Sequence, residues 1–138
     1  MTHPDARAAA VIDFYERLQP ADLARLDRLY AEPCFFKDPF NEVGSRDGVQ
    51  RIFAHMFETV QSPRFVVHDA LVQGDQCFLS WDFHFNAMTV RGASHLRFAP
   101  DGRVAYHRDY WDAAEELYEK LPVLGGLLRL LKRRLKAT

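Results

Sequence analysis

The sequence predicts an α+β domain in which helices pack on one face of a strongly curved sheet. Apolar residues recur at helical spacing through most of the first sixty positions, whereas apolar and polar residues alternate from residue 64 onward. The 138 residues include eleven phenylalanines, whose rings supply much buried surface and suit the lining of a cone or barrel. This length corresponds to one domain with a sizeable core.

Three helices are predicted before the main sheet, each with apolar residues three and four positions apart: residues 5–19, 22–30 and 49–60. Asp5 is a suitable N-cap for the first helix, and Pro20 and Pro33 are predicted to end the first and the second. A short strand over residues 34–39 is predicted between the second and third helices.

Four strands follow and form a predicted antiparallel meander: residues 64–73, 76–89, 93–99 and 104–112. Side chains alternate between the two faces of a strand. One face of the longest strand is apolar and carries Cys77, Leu79, Trp81, Phe83 and Phe85. The last strand divides its side chains between two faces, with Val104, Tyr106, Arg108 and Tyr110 on one and Ala105, His107, Asp109 and Trp111 on the other.

The C-terminal region is predicted to be helical. Asp112 caps a helix over residues 113–121, and a proline separates it from a last helix over about residues 123–136. We therefore divide the chain into a domain over residues 1–121 and a basic amphipathic helix over residues 122–138. The apolar stripe of the last helix consists of Leu124, Leu127, Leu128, Leu131 and Leu135, and its basic face of Arg129, Lys132, Arg133 and Lys136.

Two interpretations of this last helix follow from its composition. Residues 122–138 carry a net charge of +5, which leaves a net charge of −6 on the rest of the chain. A basic amphipathic helix is typical of weak contact with a membrane surface, here through residues 123–136, or of docking to a partner. Alternatively, the leucines cover the open end of a cone or a dimer partner.

Composition and motifs argue against several functional classes. The overall charge of −1 does not favour nucleic-acid binding, and the chain has no Rossmann glycine pattern, P-loop or Ser/His/Asp order. Cys34 and Cys77 lie in apolar, strand-like runs and are predicted to be buried thiols. No cysteine or histidine spacing suggests a metal site, so we expect neither a metal nor an organic cofactor. The N-terminus has no secretory signal or spanning run, which predicts a cytoplasmic protein.

Several short motifs follow one another in a fixed order: LYAE at 29–32, FKDPF at 36–40, a glycine-led helix over 48–56, LRF at 96–98 before DGRV at 101–104, and YW at 110–111. Together they resemble the nuclear-transport-factor-2-like superfamily, which includes ketosteroid isomerase, scytalone dehydratase, limonene epoxide hydrolase and the SnoaL-type polyketide cyclases. The resemblance covers residues 5 to about 120. It implies a conical antiparallel sheet wrapped by helices, an apolar pocket in the cone, and a homodimer that forms through the sheet.

The resemblance also implies which side of the last strand faces the pocket. Asp38 matches the general base of the isomerases, which lies at their pocket. Trp111 matches a tryptophan that faces the pocket in those enzymes, and this match places His107 and Asp109 inside as well.

The same match argues against steroid isomerisation. In the isomerases a tyrosine and a protonated aspartate stabilise the oxyanion. The corresponding positions here are Phe14 and Ser94, so neither of those donors is present. Tyr15 is one residue away and points about 100° around the helix from Phe14.

The predicted catalytic residues are Asp38 as the base, His107 as its proton partner and Asp109 as the group that orients His107. The predicted ligand-binding residues are Phe14, Tyr15, Phe36, Phe53, Phe57, Trp81, Phe83, Phe85, Ser94 and Trp111. A carboxylate and a histidine in an apolar pocket can abstract a proton next to a carbonyl, return it elsewhere, or assist the loss of water. The expected ligand is therefore a small, largely apolar carbonyl or hydroxyl compound.

Each assignment has a structural alternative. Asp38 and the proline after it also form a pair that initiates turns. His107 and Asp109 can be a buried pair that fixes the strand, and His84 and His95 are predicted on the opposite face, at the surface or in a dimer interface. The function hypotheses are a cofactor-free isomerase, cyclase or dehydratase, a non-catalytic module that binds a ligand or a protein, and a peripheral membrane protein.

Overall fold

The computed structural model describes residues 1–116 and 122–136 of the chain. Its strands are β1 (Tyr30–Lys37), β2 (Glu42–Val43), β3 (Arg64–Gln73), β4 (Gln76–Phe85), β5 (Met88–Phe98) and β6 (Val104–Tyr110). Its helices are α1 (Ala6–Glu16), a 3₁₀ helix (Pro20–Arg28), α2 (Arg46–Thr59), α3 (Ala113–Glu116) and α4 (Pro122–Leu135). Helix α1 stops three residues before the end of the predicted 5–19 helix.

The six strands form one curved, unclosed sheet in the order β2-β1-β6-β5-β4-β3. Strands β3 to β6 are the predicted antiparallel meander, and β1 lies parallel to β6. Helix α1 packs against β3, while α2 packs against β1 and the 3₁₀ helix. The predicted α+β fold class is confirmed. The parallel pairing of β1 with β6 is an addition to the prediction. The long connection that such a pair requires contains α2 and the four strands β2 to β5.

The core lies between the inner face of the sheet and the helices. Its fully buried side chains include Val11, Ile12, Tyr30, Phe36, Val49, Leu96 and Val104. Cys34 and Cys77 are both buried free thiols, as predicted. Burial raises the pKa of the Cys77 thiol to about 11 and also raises that of Cys34, so both thiols stay protonated near neutral pH.

The predicted second helix is a 3₁₀ helix that is followed at once by β1. Its apolar side chains recur at every third position, which matches the three-residue turn of a 3₁₀ helix: Leu23, Leu26 and Leu29. Strand β1 begins at Tyr30, so Pro33 lies within a strand and does not end a helix as predicted. The register of β1 against β6 shifts between Tyr30 and Phe35. Proline has no N–H to donate to a regular strand ladder, so it is tolerated where the ladder is irregular.

The predicted strand over residues 76–89 contains all of β4, a tight turn and the first two residues of β5. Asn86 and Ala87 have φ angles of 47° and 59°, and two consecutive residues in this left-handed region are typical of a β-hairpin turn. The sequence pattern did not reveal the turn because alanine stands where such turns usually have glycine. Strand β5 therefore begins at Met88, five residues before the predicted strand at 93, and it includes Gly92.

Capping side chains set the start of two helices. The Ser45 hydroxyl accepts from the backbone N–H of Gly48 at 3.1 Å, so α2 begins at Arg46 and not at residue 49. Asp112 Oδ1 accepts from two backbone N–H groups in the first turn of α3, as predicted. The predicted continuation of α3 over residues 117–121 lies outside the described residues.

Strand β6 departs from simple alternation at its first residue. Val104 was predicted on the face opposite His107, yet it is 1% exposed and belongs to the core. The register of β5 against β6 shifts next to the Phe98–Val104 pair, and an extra residue at this point turns Val104 inward. His107 and Asp109 keep the predicted inner face, and β6 ends at Tyr110, two residues before the predicted end.

A close approach between β4 and β5 depends on Gly92. Trp81 and Gly92 are register partners on these strands. A Cβ atom at position 92 would lie 2.4 Å from Cη2 of Trp81, so the indole ring fills the space that a side chain would need. Glycine inside a strand often marks such a contact.

We expect Gly92→Ala to lower the free energy of unfolding by about 1–3 kcal/mol because it forces the Trp81 ring to move. Urea denaturation followed by Trp81 fluorescence, in a Trp111→Phe background, measures the change. Gly44→Ala is the matched control, since a Cβ at position 44 has no heavy atom within 4 Å among the described residues. Equal stability of the two alanine variants would contradict the role assigned to Gly92.

Candidate functional site

The inner face of the curved sheet and helix α2 enclose a cavity of about 350 Å³, which we call the cone pocket. Its volume is at the lower end of the range typical of small-molecule sites. Its apolar lining is Phe36, Phe40, Ile52, Phe53, Met56, Val60, Phe65, Trp81, Phe83, Phe85, Val90 and Trp111. A pocket with such walls favours a ligand that is largely apolar.

Five residues with polar side chains line the cone pocket: Asp38, Asn41, His55, Thr59 and Asp109. Asp38 and Asn41 follow β1, His55 and Thr59 belong to α2, and Asp109 belongs to β6. In a mostly apolar pocket, a small number of polar groups is enough to fix the orientation of a bound ligand. The side chain of Asp109 is 18% exposed, so it is partly withdrawn from solvent and still reaches the cavity.

Asp109 also borders a second, smaller cavity deeper in the core. This inner cavity has a volume of about 30 Å³ and is lined by Tyr15, Phe53, Phe65, Val67, Leu79, Trp81, Ser94, His107 and Asp109. Phe53, Phe65, Trp81 and Asp109 line both cavities and therefore form the wall between them. Asp109 is the one ionisable residue of that shared wall.

A chain of buried hydrogen bonds converges on Asp109 from two directions. On one side Trp81 Nε1 donates to Ser94 Oγ at 2.8 Å, and Ser94 Oγ donates to Asp109 Oδ1 at 2.5 Å. On the other side His107 Nε2 lies 2.6 Å from the same Asp109 oxygen. His107 is 3% exposed, so its ring is enclosed by protein.

The chain continues beyond His107 into the core. His107 Nδ1 lies 2.7 Å from the hydroxyl of Tyr30, which in turn is hydrogen-bonded to the hydroxyl of Tyr15. The rings of Tyr30 and His107 are also stacked, with an interplanar angle of 10°. The side chains of this network come from α1, β1, β4, β5 and β6, so residues distant in sequence meet at one carboxylate.

The hydrogen positions follow from what each group can do. Trp81 Nε1 can only donate, so Ser94 accepts from it and donates to Asp109. When Asp109 is ionised it only accepts, which places a hydrogen on Nε2 of His107. The other ring nitrogen of a neutral His107 then accepts from Tyr30, and Tyr30 accepts from Tyr15. Every donor in the network therefore points toward Asp109.

The two oxygens of Asp109 differ in their hydrogen bonding. Both protein hydrogen bonds to this carboxylate end on Oδ1. Among residues 1–116 and 122–136, no protein group donates to Oδ2. A carboxylate that is held through one oxygen and belongs to a residue lining an apolar cavity can exchange a proton with a bound molecule.

Burial controls the protonation of the two tyrosines. Desolvation raises the pKa of Tyr15 far above the ordinary phenol value, against a smaller opposing effect of the hydrogen bond to Tyr30. Desolvation, together with the neighbouring Tyr15, also raises the pKa of Tyr30 well above that value. Both phenols therefore remain neutral hydrogen-bonding groups throughout the physiological pH range.

Asp38 lines the cone pocket in a turn that uses its carboxylate. Asp38 Oδ1 accepts from the backbone N–H groups of Phe40 and Asn41 at 2.8 and 2.7 Å. The side-chain amide of Asn41 donates to both carboxylate oxygens at 3.2 Å. These contacts are those of the turn-initiating alternative considered from the sequence.

The structure brings most of the predicted site residues to one of the two cavities. Asp38, Asp109, Phe36, Phe53, Trp81, Phe83, Phe85 and Trp111 line the cone pocket, and Tyr15, Ser94 and His107 line the inner cavity. Phe14 instead lines an outer groove between α1 and the 3₁₀ helix. Phe57 packs against the core and is not among the lining residues of either cavity.

Sequence reasoning missed several contributors. Tyr30 was placed at the end of a helix, although it begins β1 and links Tyr15 to His107. Phe65 lines both cavities, and its alternation with Val67 on β3 was an available signal. His55 lies one turn from the apolar stripe that was recognised on α2, and nothing in the local sequence marked it as a pocket residue.

The predicted outer-face histidines do lie outside the pocket lining. His95 stacks on Phe78, with ring centroids 4.4 Å apart, and its Nε2 donates a hydrogen bond to Gln76 Oε1 at 2.5 Å. His84 is hydrogen-bonded to Thr89. Within the part of the chain that the structure describes, no group of three or more His, Cys, Asp or Glu side chains is placed to hold a metal ion.

Comparison with known proteins assigns the family. The sequence model of the SnoaL-like domain matches residues 11–107. The chain belongs to the SnoaL-like domain family. Comparison with curated protein sequences gives no match.

Solved structures share the fold of this SnoaL-like domain. A ketosteroid isomerase-like protein from Catenulispora acidiphila, in complex with trimethylamine, has a TM-score of 0.69 at 16% identity over 85% of this chain and 92% of that chain. A steroid delta-isomerase from Pseudomonas aeruginosa has a TM-score of 0.63 at 22% identity over 98% of both chains. A candidate polyketide cyclase from Sinorhizobium meliloti has a TM-score of 0.66 at 15% identity over 78% and 95%. Identities this low establish the fold alone.

We expect two of the five tyrosines to resist ionisation until the protein unfolds. The native state holds the protons of Tyr15 and Tyr30 more tightly than the unfolded chain does. Their contribution to stability is therefore complete below the unfolded phenol pKa of about 10 and is lost as the pH rises above it. Tyrosinate absorbance at 295 nm, recorded with circular dichroism at each pH, should show a late step that coincides with unfolding.

Tyr15→Phe and Tyr30→Phe should each remove one phenol from this late step. Each should lower stability by about 1–3 kcal/mol, since a buried partner loses its hydrogen bond. Tyr110→Phe, at a half-exposed ring, is the matched control for loss of a hydroxyl and should stay within about 0.5 kcal/mol. Ionisation of all tyrosines in a single step with the fold intact would contradict the buried network.

Proposed function

We propose that this SnoaL-like domain binds a small, largely apolar carbonyl or hydroxyl compound in the cone pocket and moves a proton on it through Asp109. The reaction class is cofactor-free isomerisation, cyclisation or dehydration. The observation that supports the proposal is the geometry of Asp109. One of its oxygens is held by Ser94 and His107, the other has no protein partner among the described residues, and the residue lines an apolar cavity.

Proton transfer at Asp109 follows a simple balance. Asp109 Oδ2 takes a proton from a carbon next to a carbonyl, and the C–H electron pair moves toward the carbonyl oxygen. The protonated Asp109 then returns that proton to another carbon, which completes an isomerisation, or to a departing hydroxyl, which completes a dehydration. His55 lines the same pocket and carries a ring N–H that can donate to the ligand oxygen.

His107 acts in this proposal as a positioning residue. It is enclosed behind Asp109 and lines only the inner cavity, so its role is to orient the carboxylate. The proposal therefore exchanges the roles predicted from the sequence, in which Asp109 orients His107 and Asp38 is the base. Asp38 is retained as a residue of the pocket rim whose carboxylate holds the turn.

The proposal does not include steroid isomerisation. Phe14, which occupies the position of the isomerase tyrosine, lies in an outer groove. The hydroxyl of Ser94, which occupies the position of the protonated aspartate, is engaged with Trp81 and Asp109. A different arrangement of donors would have to stabilise negative charge on a ligand.

The test begins with native mass spectrometry of the purified protein and identification of any released small molecule. The identified compound is then incubated with the protein in D₂O, and hydrogen exchange at carbon is followed by NMR. We expect exchange catalysed by the wild type and a decrease of about 10²-fold or more in Asp109→Asn. Ligand affinity should persist in Asp109→Asn and should fall in Trp111→Ala, which removes an apolar wall.

Asp38→Asn is the matched control, because it makes the same carboxylate-to-amide change in the same pocket. It should keep exchange within a few-fold of the wild type. Loss of exchange in Asp38→Asn alone would return the role of base to Asp38. A bound compound that no variant and no wild-type protein exchanges would support the alternative, a non-catalytic ligand-binding module.

We also propose that the outer face of the sheet pairs with a second copy of the chain. Large apolar side chains are exposed on this face, with Leu71 at 71% and Phe78 at 50%. Rings lie in a row across four strands, formed by Phe78, His95, Tyr106 and Phe35. Acidic residues lie toward β3 and β4, and arginines lie on β5 and β6: Asp69, Asp82, Arg97 and Arg108. A two-fold axis through the ring row would place unlike charges opposite each other.

Sedimentation velocity tests this pairing. We expect the wild type at the mass of a dimer and the double variant Leu71→Asp/Phe78→Asp at the mass of a monomer, with unchanged circular dichroism. Phe40→Asp introduces an acid at a similarly exposed ring outside this face and should leave the dimer intact. A monomeric wild type would refute the proposal.

A further inference from the structure

Helix α4 presents an apolar surface that the pocket and the sheet do not account for. Leu127, Leu130, Leu131 and Leu135 are between 43% and 76% exposed. Each of these leucines is three or four residues from another leucine of the set on a 14-residue helix, so together they form one patch. Soluble domains seldom expose large apolar patches, and such patches usually mark an interaction site.

The charges of this helix all have one sign. Residues 122–138 include Arg129, Lys132, Arg133, Arg134 and Lys136 and no acidic residue. At about 100° per residue, Arg129, Arg133 and Lys136 lie on the side of the helix opposite the leucine stripe, whereas Arg134 lies beside the leucines. An apolar stripe with cations along its flanks is suited to a surface that is apolar at depth and negative at its boundary.

We propose that α4 lies in the plane of an anionic lipid surface, with its leucines among the acyl chains and its cations against the headgroups. A helix of 14 residues is about 21 Å long, shorter than the roughly 30 Å hydrocarbon core of a bilayer. No helix among the described residues has both the length and the apolar composition needed to cross a membrane. Binding in the interfacial plane is therefore the mode of lipid contact that this helix supports.

Other occupants of the leucine stripe agree less well with the structure. Two copies of α4 packed side by side would bring ten cations together with no acid in either segment to offset them. A lid over the cone pocket would require the leucines to be covered by the domain, whereas the described leucines of α4 are exposed. An anionic lipid surface offsets the charge and buries the leucines at the same time.

Cosedimentation with vesicles tests the proposal on the full-length protein. The two vesicle compositions are phosphatidylcholine alone and a 3:1 mixture of phosphatidylcholine with phosphatidylglycerol. We expect binding to the anionic vesicles at low salt and a decrease of more than about tenfold in 0.5 M NaCl, where the screening length falls to about 4 Å. Binding to neutral vesicles should be weak at either salt concentration.

Paired variants separate the two parts of the interaction. Arg133→Glu/Lys136→Glu should reduce binding to anionic vesicles by more than about tenfold. Arg51→Glu/Arg64→Glu makes the same change in net charge at two exposed arginines of the domain and should retain most of the binding. Leu127→Asn/Leu131→Asn keeps every charge and should also reduce binding by about tenfold or more.

Three results would overturn this proposal. They are no binding of the wild type to anionic vesicles at low salt, equal losses in the Arg51/Arg64 and Arg133/Lys136 pairs, and loss of self-association in Leu127→Asn/Leu131→Asn without any vesicle binding. The last result would assign the leucines to a second copy of the chain. None of these outcomes depends on the reaction at Asp109, because vesicle binding is measured without a pocket ligand.

Discussion

The hydrogen-bond network that ends on Asp109 is the constraint on which the rest of the pocket depends. A buried polar group without a partner destabilises a protein by about 1–3 kcal/mol, so each member of the network has to find its neighbour when the chain folds. The members come from five different elements, from Tyr15 on α1 to Trp81 on β4. Because these hydrogen bonds have to form together, they fix the register of the strands relative to one another and to the first helix. The network lies at the centre of the sheet.

The network and the apolar pocket reinforce each other. Low polarity around Asp109 strengthens the hydrogen bonds that hold it, and the same bonds keep one carboxylate oxygen within the network. Gly92 contributes at a distance from the chemistry, because its missing side chain lets the Trp81 ring reach Ser94. A substitution that only affects packing on β5 can therefore alter the position of the carboxylate.

The fold was largely predictable from the sequence because it depends on periodicity, which is local. The meander of four strands, the apolar face of β4 and the inward direction of His107 all follow from alternation. The predictions that were wrong concern residues whose position depends on a contact with a residue distant in sequence. Tyr30 belongs to a strand because it pairs with Val104 of β6, and Val104 turns inward because of a bulge in the pairing of β5 with β6. No periodicity encodes either contact.

The same distinction explains why the sequence favoured Asp38 over Asp109 as the base. Asp38 stands next to a proline in a recognisable motif, whereas the surroundings of Asp109 are assembled from three strands. In the structure the oxygens of Asp38 accept from three N–H groups of its own turn, and a carboxylate satisfied in this way gains little by taking a proton from a ligand. Asp109 lines the pocket and has an oxygen that no described protein group donates to. The proposed proton transfer is therefore better supported at Asp109, which keeps one free acceptor, than at Asp38, where a turn uses both oxygens.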